Sequence, residues 1–501
     1  MNLDLLYSIP LAFGNDIVPK YIHFAFAILT TWLIFDYIKK RLTINYALFG
    51  ATFFLSLPII VKLSITVYVD LGVVYFSTSS LLMLFKWAEH NKLRHLVFAG
   101  IFCGLAAGTK YNGLVSIFLL TALTPIIYIR LGKSGNESKP MQVILLGSLF
   151  LIITLLTFSP WMVRNYKATG NPIYPLYNSL FKQTSITYTN STTDTTNRPH
   201  FSTTQDITKT VTIRGSSVLA NRKVLYHETW WQMILLPVRF FFEGQDDDPQ
   251  YFDGKLNPFL LMLMFLALYK PDYPSRIKRE LYILFAFGWL FFFFTFFQGT
   301  LRIRYIASSV PAFVILATFG IHNFQTKLQS SQKDNSKIYL AIVLLVSVTL
   351  AYNANYSINL FKQLKPLSFI TGNVPREDYI SKHLPEYPII KFANENLGEE
   401  TKILALYGGN RGYYYDHTVT FEPDGNTFRL GAITNNSTTP SEISNKLQEL
   451  GFTHLVIRLK LFTEMANNNL DPEKIVLLNE FLIKNTDQLV RNEKYGLFQL
   501  K

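Results

Sequence analysis

Ten apolar stretches free of Asp, Glu, Lys and Arg recur in the first 361 residues of this 501-residue chain, and they constrain its fold more than any other feature. Six are long: 42–61, 111–129, 141–163, 281–301, 305–326 and 338–361. Each approaches or exceeds the ~20 residues a helix needs to cross a hydrocarbon core of about 30 Å. Four shorter ones, 21–35, 71–85, 96–109 and 256–269, must borrow length from their polar flanks or lie inside a bundle. The expected fold is a mainly α-helical polytopic membrane protein of about ten transmembrane helices. Six fall in 21–163 and four in 256–361, separated by a large external loop over 164–255.

Charge supports this class and excludes others. Only 16% of residues are charged, against about 25% in an average globular domain, which argues against a soluble enzyme and against disorder. The net charge of +13 invites a nucleic-acid reading, but its location does not support one. From Tyr356 onward there are 16 basic and 17 acidic residues, so the whole excess lies in the apolar part. With the N-terminus placed outside, the five inner loops hold sixteen Lys and Arg, from Lys39 to Lys337, and the short outer segments hold five. That asymmetry is the signature of membrane topology. Both ends are then external, and the expected location is the bacterial inner (plasma) membrane. Membrane lipids are partners and nucleic acid is not. The single cysteine, Cys103, excludes an internal disulfide and a thiolate zinc site.

The flanking regions differ in pattern. Residues 1–20 place Leu3, Leu5, Leu6, Ile9, Leu11 and Phe13 as an interfacial amphipathic segment leading into the first span. Residues 183–210 are rich in Ser, Thr and Asn and read as a loop. From 364 to 501 the periodicity changes. Segments 402–406, 418–421, 453–459 and 495–500 alternate like strands, and 441–451 and 471–485 have helical spacing. This predicts an external α/β domain.

Polar residues gather at the expected outer ends of the helices. Asp70 opens a span in Val67-Tyr-Val-Asp70, where a carboxylate is either functional or simply favoured at a helix start. Lys110 lies in the turn Gly108-Thr-Lys-Tyr-Asn-Gly113, Arg164 follows Ser159-Pro-Trp-Met-Val163, and Arg302 and Arg304 lie in Gln298-Gly-Thr-Leu-Arg-Ile-Arg-Tyr305. Cations recurring at one level, on the side that should be poor in them, suit a lipid phosphate. For any one of them, snorkelling to bulk lipid is the simpler account. The run Glu243-Gly-Gln-Asp-Asp-Asp-Pro249 with Asp253 offers oxygens that a divalent cation could take. An Asp-x-Asp serving nucleotide sugars belongs in the cytoplasm, however, so the run reads as a solvated acidic loop. No residue is assigned as a metal ligand, and a divalent cation stays open as a cofactor. The nine histidines show no His-x-x-x-His spacing, and Gly408-Gly-Asn-Arg-Gly412 lacks the Lys-Ser/Thr of a phosphate loop.

Taken in order, these pieces resemble the polytopic glycosyltransferases of the GT-C fold, in the group related to protein O-mannosyltransferases and lipid A aminoarabinose transferases. The resemblance is carried by Asn2-Leu-Asp-Leu-Leu-Tyr7, Tyr68-Val-Asp70, Gly104-Leu-Ala-Ala-Gly-Thr-Lys-Tyr111, Ser159-Pro-Trp-Met-Val-Arg-Asn165 with Thr169-Gly-Asn-Pro172, and Arg304-Tyr305. It implies a sugar moved, with inversion, from a polyprenyl-phosphate donor to a glycan, lipid or protein acceptor outside the cytoplasm. A carboxylate would act as general base. Lys110, Arg164, Arg302, Arg304 and Tyr305 would hold the donor phosphate. The family's first helix and first outer loop, with its catalytic Asp, would precede Met1. The chain as given is therefore expected to lack that loop, and Asp4 and Asp70 are its candidate catalytic carboxylates. Two alternatives come from other classes. A flippase for a lipid-linked glycan would favour charges within the spans, and a non-catalytic membrane protein would use the external domain for binding.

Overall fold

The computed structural model describes residues 1–132, 140–181, 219, 222–223, 226–296, 301–331, 335–409, 411–422 and 429–501. The Ser/Thr/Asn-rich stretch, Lys133, Lys139, Lys333 and Gln298–Thr300 lie outside them. Two compact units emerge, one holding the helices up to Gln363 and one holding Leu364–Lys501.

In the first unit, the described part of each of the ten apolar stretches is mainly helical. Eight helices make up its N-terminal part: α1 (Asn2–Ala12), α2 (Val18–Lys39), α3 (Ile44–Ser56), α4 (Pro58–Ser64), α5 (Asp70–His90), α6 (Leu93–Thr109), α7 (Gly113–Leu131) and α8 (Pro140–Thr169). Helices Pro258–Leu266, Ser275–Phe296, Val310–Ser331 and Asn335–Leu364 follow. Among the described residues seven helices are long and apolar enough to cross a membrane, and α3 with α4 would make an eighth as one span bent by 61°. The bend follows from sequence. Pro58 clashes with a helical residue before it, so Leu57 turns extended at φ −54°, ψ 134° and the chain restarts with proline at the first helical position.

The two remaining stretches fall short for a structural reason. The 256–269 stretch forms only a nine-residue helix. Helix α6 has 17 residues and packs between α5 and α8. Gly100, Gly104 and Gly108 recur every fourth residue along it. A Cβ there would lie 2.8 Å from Ile153, 2.5 Å from Thr157 and 2.5 Å from Asn2. This small-residue stripe lets α6 and α8 approach closely, which van der Waals packing rewards when no hydrophobic effect separates helices from lipid.

One end of this bundle is closed by a buried charge cluster. Glu280, fully buried, accepts hydrogen bonds from Tyr37 Oη at 2.9 Å, Arg41 Nε at 2.6 Å and Arg276 Nε at 3.1 Å. Arg276 also donates to the Phe85 and Leu131 carbonyls, so one carboxylate links α2, α5, α7 and helix Ser275–Phe296.

The second unit is an α/β domain. Among its described residues there are five strands, β1 (Lys402–Leu406), β2 (Thr418–Phe421), β3 (His454–Arg458), β4 (Thr486–Arg491) and β5 (Tyr495–Leu500), in the order β2-β1-β3-β5-β4. β1, β2 and β3 run parallel, while β5 is antiparallel to β3 and β4. Alternation along β1 sends Leu404 and Leu406 to one apolar core and Ile403 and Ala405 to the other. Edge strand β4 escapes the sequence reading because most of its side chains are exposed or half-buried, which weakens the apolar alternation.

Candidate functional site

The bundle end opposite Glu280 gathers most of the singled-out residues. Asp70 is the first residue of α5 and is 5% exposed. Its Oδ1 lies 2.6 Å from Lys110 Nζ. Lys110 caps α6 in an extended conformation, so its side chain leaves the helix axis and turns toward α5. The same ammonium sits 4.8 Å from the Tyr305 ring centroid. Tyr305 lies in a 3-10 helix, Ile303–Ser309, and its carbonyl accepts from Asn112 Nδ2 at 3.4 Å. The Arg304 guanidinium lies 4.5 Å from the Tyr68 ring and 5.4 Å from that of Tyr305. Segments far apart in sequence thus bring Tyr68, Asp70, Lys110, Arg304 and Tyr305 together. The turn after α6 is forced by Gly113, where a Cβ would fall 2.3 Å from the Ala106 carbonyl.

Arg302 and Arg164 flank this group on other partners. Arg302 pairs with Asp253 at 3.4 Å. Asp253 also pairs with Lys62, which reaches Asp246 at 3.2 Å and Asp247 at 3.3 Å. The acidic run is therefore not merely a solvated loop, because Asp246 and Asp253 are three-quarters or more buried and close on Lys62. Tyr356 donates to Asp246 at 2.6 Å, and stacking of Phe240 on Phe252, 4.2 Å apart, ties the segment to the aromatic core. Among the described residues no group of three or more His, Cys, Asp or Glu is arranged to hold a metal ion. Arg164 continues α8 beyond the predicted end of its span, exposed, 5.5 Å from the Trp161 ring. Trp161 Nε1 donates to Asn2 at 2.6 Å. Asp4 is 63% exposed on α1 and pairs with the Met1 amine. Its partner is that amine rather than a member of the Asp70 group, although Met1 itself donates to the Thr109 carbonyl beside Lys110 at 3.2 Å. Burial and the Arg164 charge lower the pKa of that amine.

Two observations give the group its chemistry. The Nε atoms of both Arg302 and Arg304 are buried without a hydrogen-bond acceptor among the described residues. Unsatisfied donors on a cation are costly, and an anion would satisfy them. The one carboxylate within the group, Asp70, is already held by Lys110. The local balance is therefore cationic. Sequence reasoning missed Tyr7, which donates to the Tyr68 carbonyl at 2.8 Å and so fixes the residues just before Asp70. Burial and the Asp70 charge keep this hydroxyl protonated by raising its pKa. A tyrosine at helical spacing on an amphipathic segment carries no signal for such a contact.

Comparison with known proteins bears on the fold. Residues 11–163 match the protein family described as dolichyl-phosphate-mannose-protein mannosyltransferase. No curated protein sequence matches the chain. Among solved structures, apo ArnT from Cupriavidus metallidurans superposes with a TM-score of 0.51 at 13% identity, covering 96% of this chain and 83% of that one. ArnT from the same organism bound to undecaprenyl phosphate gives 0.48 at 13% identity over 96% and 83%. The apo oligosaccharyltransferase of Archaeoglobus fulgidus gives 0.46 at 13% identity, covering 96% of this chain and 62% of that one. The chain has the GT-C fold of polytopic membrane glycosyltransferases.

Proposed function

We propose that this protein transfers a sugar from a polyprenyl-phosphate donor to a glycan, lipid or protein acceptor on the non-cytoplasmic side of a bacterial plasma membrane. The observation that carries the reading is the cluster at one bundle end, where Lys110, Arg304 and Tyr305 surround Asp70 and two arginine Nε donors await an acceptor. Lys110 and Arg304 bind the donor phosphate, and Arg302 and Arg164 raise the positive potential on either side. These cations stabilise the charge that grows on the phosphate as the glycosidic bond breaks. When the phosphate takes over Lys110, Asp70 is released from its ion pair and becomes free to accept the proton of the incoming hydroxyl. Asp4, being exposed, is the second candidate for that role.

Orientation follows from the loop charges, which put this end and the α/β domain outside. No nucleotide sugar is available there, which leaves a lipid as donor. The test is turnover of radiolabelled polyprenyl-phosphate sugars by membranes carrying the full chain. Arg304→Ala and Lys110→Ala should abolish most donor use while leaving the protein folded, and Asp70→Asn should stop transfer without stopping donor binding. Unchanged donor use in both cation variants would remove the phosphate-site assignment. Translocation of a lipid-linked glycan without transfer would replace the reading by a flippase.

A further inference from the structure

His23, in the second turn of α2, is fully buried and takes no part in the chemistry above. Its ring joins three elements. Nδ1 lies 2.9 Å from the Leu63 carbonyl and 2.9 Å from the Thr66 carbonyl. Nε2 lies 3.0 Å from the backbone nitrogen of Leu71, which donates to it. The partners fix the tautomer, because two carbonyls require the proton on Nδ1 and a backbone N–H requires a lone pair on Nε2. The imidazole is therefore neutral.

The site of this contact matters. Leu71 is the second residue of α5, and its N–H is one of the four that a helix start leaves without an internal partner. The capping position is Val69, whose side chain has no acceptor to offer. His23 supplies the missing cap from another helix, and at the same time binds the chain leaving α4, whose last turn includes Leu63. Asp70 lies between the two residues pinned from outside, Tyr68 by Tyr7 and Leu71 by His23.

We infer that His23 is a positioning residue that sets the start of α5, and with it the Asp70–Lys110 pair, only while its ring is neutral. A second proton would put an N–H on Nε2 facing the N–H of Leu71, turning the cap into a donor–donor clash. The charged groups beside the ring are Asp70, next in sequence to Leu71, and its ion-pair partner Lys110. Tyr7 faces the same turn and stays neutral. Acidification should therefore loosen the start of α5 and weaken phosphate binding together. The link to phosphate binding rests on the reading proposed above, whereas the cap itself does not.

The test uses the full chain in lipid nanodiscs with two readouts, amide exchange over residues 63–73 and binding of undecaprenyl phosphate. His23→Phe keeps the ring volume and removes both nitrogens. His23→Gln keeps an acceptor near Nε2 and cannot titrate. His23→Phe should lose protection at 69–73, with the helix Ser275–Phe296 unaffected, and should bind about tenfold more weakly, the scale of one lost cap. His23→Gln should restore most of both. Its affinity should also lack the part of the acid decline that the wild type shows beyond titration of the lipid phosphate itself. Unaltered protection in His23→Phe overturns the cap. Lost protection with unaltered binding overturns the positioning role. If the wild type fails to bind the lipid at all, the proposed function falls, and the exchange readout still decides the cap.

Discussion

The two ends of the helical bundle treat their charges in opposite ways. At one end Glu280 has three donors, and Arg276, one of the two arginines that reach it, also satisfies carbonyls of neighbouring helices. At the other, Asp70 has one lysine, while among the described residues Arg302 and Arg304 keep buried donors without acceptors. A satisfied cluster fixes helices in place. An unsatisfied one is open to an anion, which is the basis of the proposed binding role.

Breaking the first end should give the largest effect. Glu280→Ala leaves Arg41 and Arg276 without their carboxylate and should destabilise the fold by about 3–5 kcal/mol, seen as loss of folded protein in detergent thermal melts. The second end should break differently. Lys110→Ala should cost about 100-fold or more in transfer rate, by analogy with removing one preorganised stabilising donor, with a melting temperature within a few degrees of wild type. Equal melting losses in the two variants would erase the distinction. Gly104→Ala probes the packing that sets the level of Lys110. Its methyl would meet the Thr154 carbonyl at 2.6 Å and should cost about 1–3 kcal/mol in stability.

A fourth prediction sharpens the contrast in the other unit. Glu422 is 3% exposed, and one of its oxygens is buried without a hydrogen-bond partner among the described residues. Burial raises its pKa from 4.5 to about 7, despite a backbone N–H from Arg429. The folded state thus holds a proton that the unfolded state releases between those values. This contribution to stability is complete below 4.5 and lost as pH rises through about 7. Glu422→Gln should therefore melt higher than wild type at pH 8, by about a few degrees, and match it at pH 4. The same gain at both pH values would show that ionisation is not the cause.

Apolar runs, loop charges and the isolated carboxylate at Asp70 were legible because each is a local property of the chain. So was the α/β character of the last 138 residues, Leu364–Lys501. Span length was less so. Flanking polar residues extended several helices beyond the uncharged cores, whereas Pro58 bent one stretch and 256–269 shortened into nine helical residues. The Gly100, Gly104, Gly108 stripe was written in the sequence with its own spacing, and a search for small residues four apart would have found the α6–α8 contact. Asp246 and Asp253 show the opposite case, since an acidic run looks solvated until Lys62 and Arg302 are brought to it.

What the sequence determined alone was where apolar length and charge could sit, because transfer into lipid depends on residue type and local order. Which cation meets Asp70, which arginine finds a carboxylate and which keeps a buried donor open were decided by tertiary packing. Those outcomes depend on distances between residues 40 to 239 positions apart, and no local pattern encodes them. His23 makes the point most directly. In the chain it is one histidine among nine, and only the meeting of α2, α4 and α5 turns its two nitrogens into a cap.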